Sequence, residues 1–119
     1  RLFVLKYNCK EKLYGGIVMS VLNVTKDNFE NEVLKSEKTV LLDFYADWCG
    51  PCRMVGPIVH EIADERDDIK VGKINVDEQP ELAAAFGVQS IPMLVVVKDG
   101  KIANTAVGAR PKEQILDLL

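Results

Sequence analysis

From residue 20 onward, apolar runs and amphipathic stretches follow one another along the chain. "SVLNV" (20–24) predicts a short strand, and "TKDNFENEVLKSE" (25–37) an amphipathic helix with Thr25 as N-cap and Phe29, Val33 and Leu34 on one face. "TVLLDFYA" (39–46) runs apolar instead of alternating, as a strand buried on both faces does. "CRMVGPIVHEIADER" (52–66) carries Met54, Val55, Ile58, Val59, Ile62 and Ala63 at helical spacing, with Pro57 inside it expected to kink the axis. "KVGKINVD" (70–77) is a further strand, and "QPELAAAFG" (79–87) a short helix that Gly87 can end. "PMLVVVKDGKIANTAVG" (92–108) predicts two strands joined at Asp99-Gly100, a strong hairpin signal. "PKEQILDLL" (111–119) closes as a helix with Pro111 in its first turn. The order βαβαβαββα predicts an α/β fold: a mixed central sheet of about five strands with helices on both faces.

Residues 1–18 do not share this patterning. They mix basic and aromatic residues, contain Gly15-Gly16 and show neither a two-residue nor a 3.6-residue period. We expect residues 1–18 to be an extension ahead of a start at Met19, with residues 19–119 as the domain. The alternative is a genuine N-terminal element packed on the domain. A chain of 119 residues supports one core and not two.

Hydrophobic residues make up 48% of the chain, a globular composition. A net charge of -3 with scattered Lys and Arg offers no footprint for nucleic acid or an anionic membrane surface. No apolar run reaches the roughly 18–20 residues needed to span a bilayer. The patch Leu2 to Leu5 is shorter than the about 7–15 residues of a secretory h-region. These readings predict a cytoplasmic protein, where paired cysteines are more often catalytic or metal-binding than structural. With three cysteines, at least one stands outside any intramolecular pair.

The unusual chemistry is concentrated in "LLDFYADWCGPC" (41–52): an acid inside an apolar run, then a tryptophan, then two cysteines separated by Gly-Pro. The pair has three readings. Zinc needs two further ligands, and only Cys9 and His60 are on offer, neither at the usual spacing. A static disulfide across so small a loop constrains little of the unfolded chain. A redox pair fits the position best. Cys49 falls where a strand gives way to a helix, and unpaired N–H groups there stabilise a thiolate. Cys49 is then the nucleophile, and Cys52, one turn further in and expected to be less exposed, resolves the mixed disulfide. An ionised carboxylate in an apolar strand is costly, so Asp43 is expected to hold a proton; it either exchanges that proton during the redox step or merely satisfies a local backbone group.

The motif "WCGPC", preceded by "LLDFYAD" and followed by "GKINVD" and "SIPMLVVVKDG", resembles the thioredoxin family over about residues 20–119. The resemblance implies the thioredoxin fold and protein disulfide reduction by a Cys49/Cys52 dithiol–disulfide cycle. It implies proton transfer by Asp43 with Lys73 as the charge that tunes it, and a cis bond at Ile91-Pro92. A flat apolar docking patch of Trp48, Gly50, Pro51, Ile91, Pro92 and Gly108 follows from it too. The implied partners are disulfide-containing proteins and an NADPH-dependent thioredoxin reductase. No metal or bound cofactor is expected, because the two sulfurs carry the electrons, and the chain is expected to act as a monomer in electron transport and cell redox homeostasis.

Two rivals stay open. A disulfide isomerase or oxidase on the same fold usually carries a histidine between the cysteines, and Gly50-Pro51 argues against it. A redox-independent binding subunit would use the same patch and survive loss of both cysteines. Tyr45 and Met93 depart from common members of the family, which have tryptophan and threonine there. Met93 is expected to alter the surface next to Cys49. His60 and the run Asp64 to Asp68 read as solvated helix positions, and Cys9 as a free thiol.

Overall fold

The computed structural model describes residues 12–14 and 17–119, the first six of these (12–14 and 17–19) by their strand pairing alone. Cys9 and the start of the expected extension lie outside the described residues. The later part of that extension forms a small antiparallel ladder, Lys12–Tyr14 (β1) with Ile17–Met19 (β2), separate from the main sheet. Strands of three residues are too short to display a two-residue period, so the pattern hid them.

The main sheet contains Val21–Asn23 (β3), Thr39–Tyr45 (β4), Ile69–Asn75 (β5), Met93–Lys98 (β6) and Lys101–Val107 (β7). Its order is β3-β5-β4-β6-β7, with β3, β5 and β4 parallel and β6 and β7 antiparallel to their neighbours. This is the expected mixed five-stranded sheet. β6 and β7 meet at Asp99 (φ 52°) and Gly100 (φ 76°), both in the left-handed region that a two-residue hairpin of this kind requires.

Central strand β4 explains why the run 39–46 does not alternate. Val40, Leu42 and Phe44 enter one core with Ile74, Val95 and Leu82, whereas Leu41 enters the other with Val55, Val59 and Ile62. The second of these faces is covered by Gly50–Glu65 (α1) and Lys112–Leu116 (α3). Pro80–Ala85 (α2) and a turn at residues 30–34 cover the first. Successive strand residues point to opposite faces, so Asp43 shares the face of Leu41 and is turned toward α1. Its register partner across β5 is Lys73. A buried lysine on the same strand, Lys70, points the other way and pairs with Glu32 at 3.0 Å.

Three expectations need correction. The helix expected over 25–37 is only a π-helical turn, Glu30–Leu34, in which the Lys35 N–H reaches the Glu30 carbonyl five residues back. Asn28 is the cause: its Oδ1 accepts the Thr25 N–H at 2.8 Å and its Nδ2 donates to the Asn23 carbonyl at 3.0 Å, drawing backbone groups out of a helical ladder. Thr25 therefore caps nothing. The wide turn buries Val33, half-buries Phe29 against Phe86, and leaves Leu34 exposed. Pro111 stands at the N-cap of α3, not in its first turn. Met93 is only 8% exposed and packs in the core with Leu42 and Phe44, so it does not shape the surface beside Cys49. α1 runs unbroken through Pro57.

Gly72 marks the tightest packing in the sheet. A Cβ there would lie 2.7 Å from Val24 Cγ2, 3.3 Å from Leu42 Cδ2 and 3.4 Å from the Leu22 carbonyl oxygen. Gly72→Ala is expected to destabilise the fold by about 1–3 kcal/mol through overpacking. Urea denaturation measures this, and an unchanged midpoint would contradict the packing described.

Candidate active site

The site forms where β4 ends and α1 begins. β4 closes at Tyr45, and the chain turns through Ala46 to Cys49, with the Cys49 N–H bonded to the Ala46 carbonyl at 3.2 Å. Cys49 has extended backbone geometry and is the N-cap of the 16-residue helix α1. Its Sγ accepts the Cys52 N–H at 3.2 Å, the bond a serine oxygen makes in a usual cap. Pro51 sits in the first turn, where no donor is needed. One helical turn brings Cys52 back beneath Cys49, and the two are joined in a disulfide with Cα atoms 5.3 Å apart. The helix N-terminus thus directs N–H groups and positive potential at the sulfur of Cys49, an arrangement that favours a thiolate when the pair is reduced.

The expected difference in exposure is not found. In the disulfide form Cys49 is 4% exposed and Cys52 6%, because Tyr45, Val76 and Ile91 pack around the pair. What is open lies beside the sulfurs: Trp48 is 68% exposed, and Gly50 and Pro51 are exposed. Trp48 is held by its own polar end, the indole N–H donating to Asp77 Oδ2 at 2.9 Å. That aspartate had no signal in the sequence, since its partner lies 29 residues away.

The Ile91-Pro92 bond is cis, and the Ile91 carbonyl oxygen lies 3.9 Å from Cys49 Sγ. The Gly108 N–H donates to the Pro92 carbonyl at 2.8 Å, bringing the end of β7 to the same place. Of the six residues expected in a docking patch, Trp48, Gly50 and Pro51 are exposed and Ile91 and Gly108 half-buried. Pro92 is buried.

Behind the disulfide lies Asp43, 4% exposed, with Oδ1 lacking any hydrogen-bond partner. Burial raises its pKa to about 7, against the pull of the Lys73 charge. Asp43 and Cys52 line one small cavity of about 130 Å³, together with Lys73 and Tyr45. The Lys73 ammonium stands 5.7 Å from the centre of the Tyr45 ring. The structure therefore brings Cys49, Cys52, Asp43 and Lys73 into one locus. His60 also lines this cavity, which its reading as a solvated histidine did not anticipate. The available signal was the spacing Cys52, Gly56, His60, one residue per turn along a single stripe of α1. Among the described residues no group of three or more His, Cys, Asp or Glu is placed to hold a metal ion. None of the described helices is long and apolar enough to cross a membrane.

A vicinal dithiol–disulfide at a helix N-terminus, on a sheet of this topology, defines a thiol–disulfide redox domain. A family model for thioredoxin matches residues 20–119. Thioredoxin of Streptomyces clavuligerus is 50% identical over 94 residues, covering 79% of this chain and 88% of that protein. Thioredoxin 1 of Synechococcus elongatus is 50% identical over 97 residues, 81% of this chain and 91% of its own. Thioredoxin of Pyropia yezoensis is 49% identical over 102 residues, 85% of this chain and 95% of its own. The chain belongs to the thioredoxin family. It is a thiol–disulfide oxidoreductase with protein-disulfide reductase activity centred on the Cys49–Cys52 pair.

Proposed function

We propose that this domain reduces disulfide-containing proteins in the cytoplasm and is itself re-reduced by an NADPH-dependent thioredoxin reductase, acting as a monomer in electron transport and cell redox homeostasis. The observation that carries this reading is the Cys49–Cys52 pair at the head of α1, backed by a buried carboxyl without a partner.

In this reading the Cys49 thiolate attacks one sulfur of the substrate disulfide. A Cys49–substrate bond forms and the other substrate sulfur leaves as a thiolate. Asp43 takes the proton of Cys52, and the new thiolate attacks Cys49 Sγ. The intramolecular disulfide forms, and the second substrate sulfur leaves. Two electrons pass from the cysteines to the substrate, and the two substrate thiolates take up two protons. Lys73 tunes the Asp43 carboxyl through its charge. Trp48, Gly50, Pro51, Ile91 and Gly108 form the docking surface, with the buried Pro92 next to Ile91. The Ile91 backbone, beside Cys49 Sγ, offers bonds to an extended substrate segment. The redox unit is residues 19–119, a span supported by the family match over 20–119.

The test is NADPH oxidation in the presence of a thioredoxin reductase, this protein and a protein disulfide. Consumption is expected to require all three and to stop when Cys49 and Cys52 are both serine. Binding of a partner that persists unchanged in the double-serine protein, with no NADPH consumption by the parent, would favour the binding-subunit reading instead.

A further inference from the structure

Resolution by Cys52 happens while a substrate is covalently attached to Cys49, so the docking face is covered at the moment a proton must leave. The cavity behind the disulfide faces elsewhere. None of the docking residues lines it; its wall runs from Cys52 and Asp43 past Gly56 to His60, with Val21 of β3 opposite. Gly56 contributes no side chain, and a Cβ there would meet nothing within 4 Å, so the wall between Cys52 and His60 is open. At about 130 Å³ the cavity has room for a few waters at roughly 30 Å³ each. The orphaned Asp43 Oδ1 supplies a polar anchor for them. His60 is exposed, so the imidazole touches bulk water on one side and the cavity on the other.

We propose that this cavity is the proton port of the redox centre, and that His60 is the positioning residue that passes protons between Asp43 and bulk solvent while substrate covers Cys49. The proposal rests on the reductase cycle above. The Cys52 proton goes to the Asp43 carboxylate, and the Cys52 sulfur bonds to Cys49 Sγ as the Cys49–substrate bond breaks. The Asp43 proton then moves through cavity water to the imidazole and out to solvent.

The other titratable groups facing the cavity fit this role less well. Lys73, from β5, also lines the cavity, but an ammonium offers three donors and no acceptor. The Tyr45 phenol, from β4, has its pKa raised by burial, further from the working range. β3 contributes only Val21. A neutral imidazole has one ring nitrogen that donates and one that accepts, the pair a relay requires.

Stopped-flow reaction of the reduced protein with Ellman's reagent separates the steps. The first thionitrobenzoate released reports attack by Cys49, and the second reports resolution by Cys52. His60→Ala is expected to leave the first phase unchanged and slow the second roughly tenfold, less than the about 100-fold or more of a direct acid–base group. The slowing is expected to be greatest at low buffer concentration and to be reversed by added imidazole, which fits the space vacated beside Gly56. A second phase equal to the parent's at every pH between about 6 and about 8 would overturn the proposal. So would slowing of both phases alike without imidazole rescue, the mark of a merely structural role. A parent protein that releases no second thionitrobenzoate would overturn the reductase cycle itself, and this inference with it.

Discussion

Cys49→Ser reduces turnover of a protein disulfide to the uncatalysed background, whereas Cys52→Ser still attacks and then stalls. The two outcomes differ because the cysteines differ in position. Cys49 is the helix N-cap with the Cys52 N–H on its sulfur, so a thiolate there is stabilised and ready to attack. Serine at that position keeps the cap but is no nucleophile toward sulfur at neutral pH. Cys52 faces inward to the Asp43 cavity and is needed only to release the intermediate. Incubation of Cys52→Ser with a protein disulfide is therefore expected to accumulate a mixed disulfide, visible as a mass increase that dithiothreitol removes. Equal loss of all reaction in both variants, with no trapped species, would contradict this division of labour.

The second large effect is on stability. Asp43 holds its proton up to about pH 7 in the folded protein, whereas an exposed aspartate releases it near 3.8. Between these values the folded state binds more protons than the unfolded state, so stability falls as pH rises through this window. At about 1.4 kcal/mol per pH unit, the gap sets an upper limit of about 4 kcal/mol lost above about pH 7. Asp43→Asn removes the titration. The disulfide form of the variant is expected to be more stable than the parent above about pH 7, by less than that limit because the buried amide also lacks a partner. The difference is expected to shrink toward zero near about pH 4. The same variant cannot accept the Cys52 proton, so its resolution step is expected to slow by about 100-fold or more. Denaturation curves of parent and variant at the two pH values measure the stability effect. Equal stability at alkaline pH would mean that Asp43 is ionised in the fold at little cost.

Much of this was legible in the sequence, and what was not has physical causes. The run 39–46 announced a doubly buried strand, and its single acid announced a costly burial; both readings depend only on which side chains water would claim. The hairpin at Asp99-Gly100 was equally plain, because few residue pairs accept two positive φ values. The segment 25–37 misled because its apolar spacing suits a helix while Asn28 binds the backbone of Asn23 and Thr25, a choice made by geometry and not by hydrophobicity. Met93, where common family members have threonine, was expected to alter the surface next to Cys49. The strand's alternation instead turns it into the core beside Phe44. The Trp48–Asp77 bond joins distant segments and leaves no local pattern. His60 is exposed, as its polar neighbours on the helix suggest, and its second contact, with the cavity, follows from the glycine one turn before it.

The central claim is that Cys49 and Cys52 cycle between dithiol and disulfide at a reducing potential. A redox titration against dithiothreitol or glutathione, read by Trp48 fluorescence and by alkylation of the two cysteines, tests it most directly. The midpoint is expected at about -270 mV or lower, the value of thioredoxin itself. A midpoint at roughly -120 to -180 mV would mark an oxidase or isomerase and contradict it.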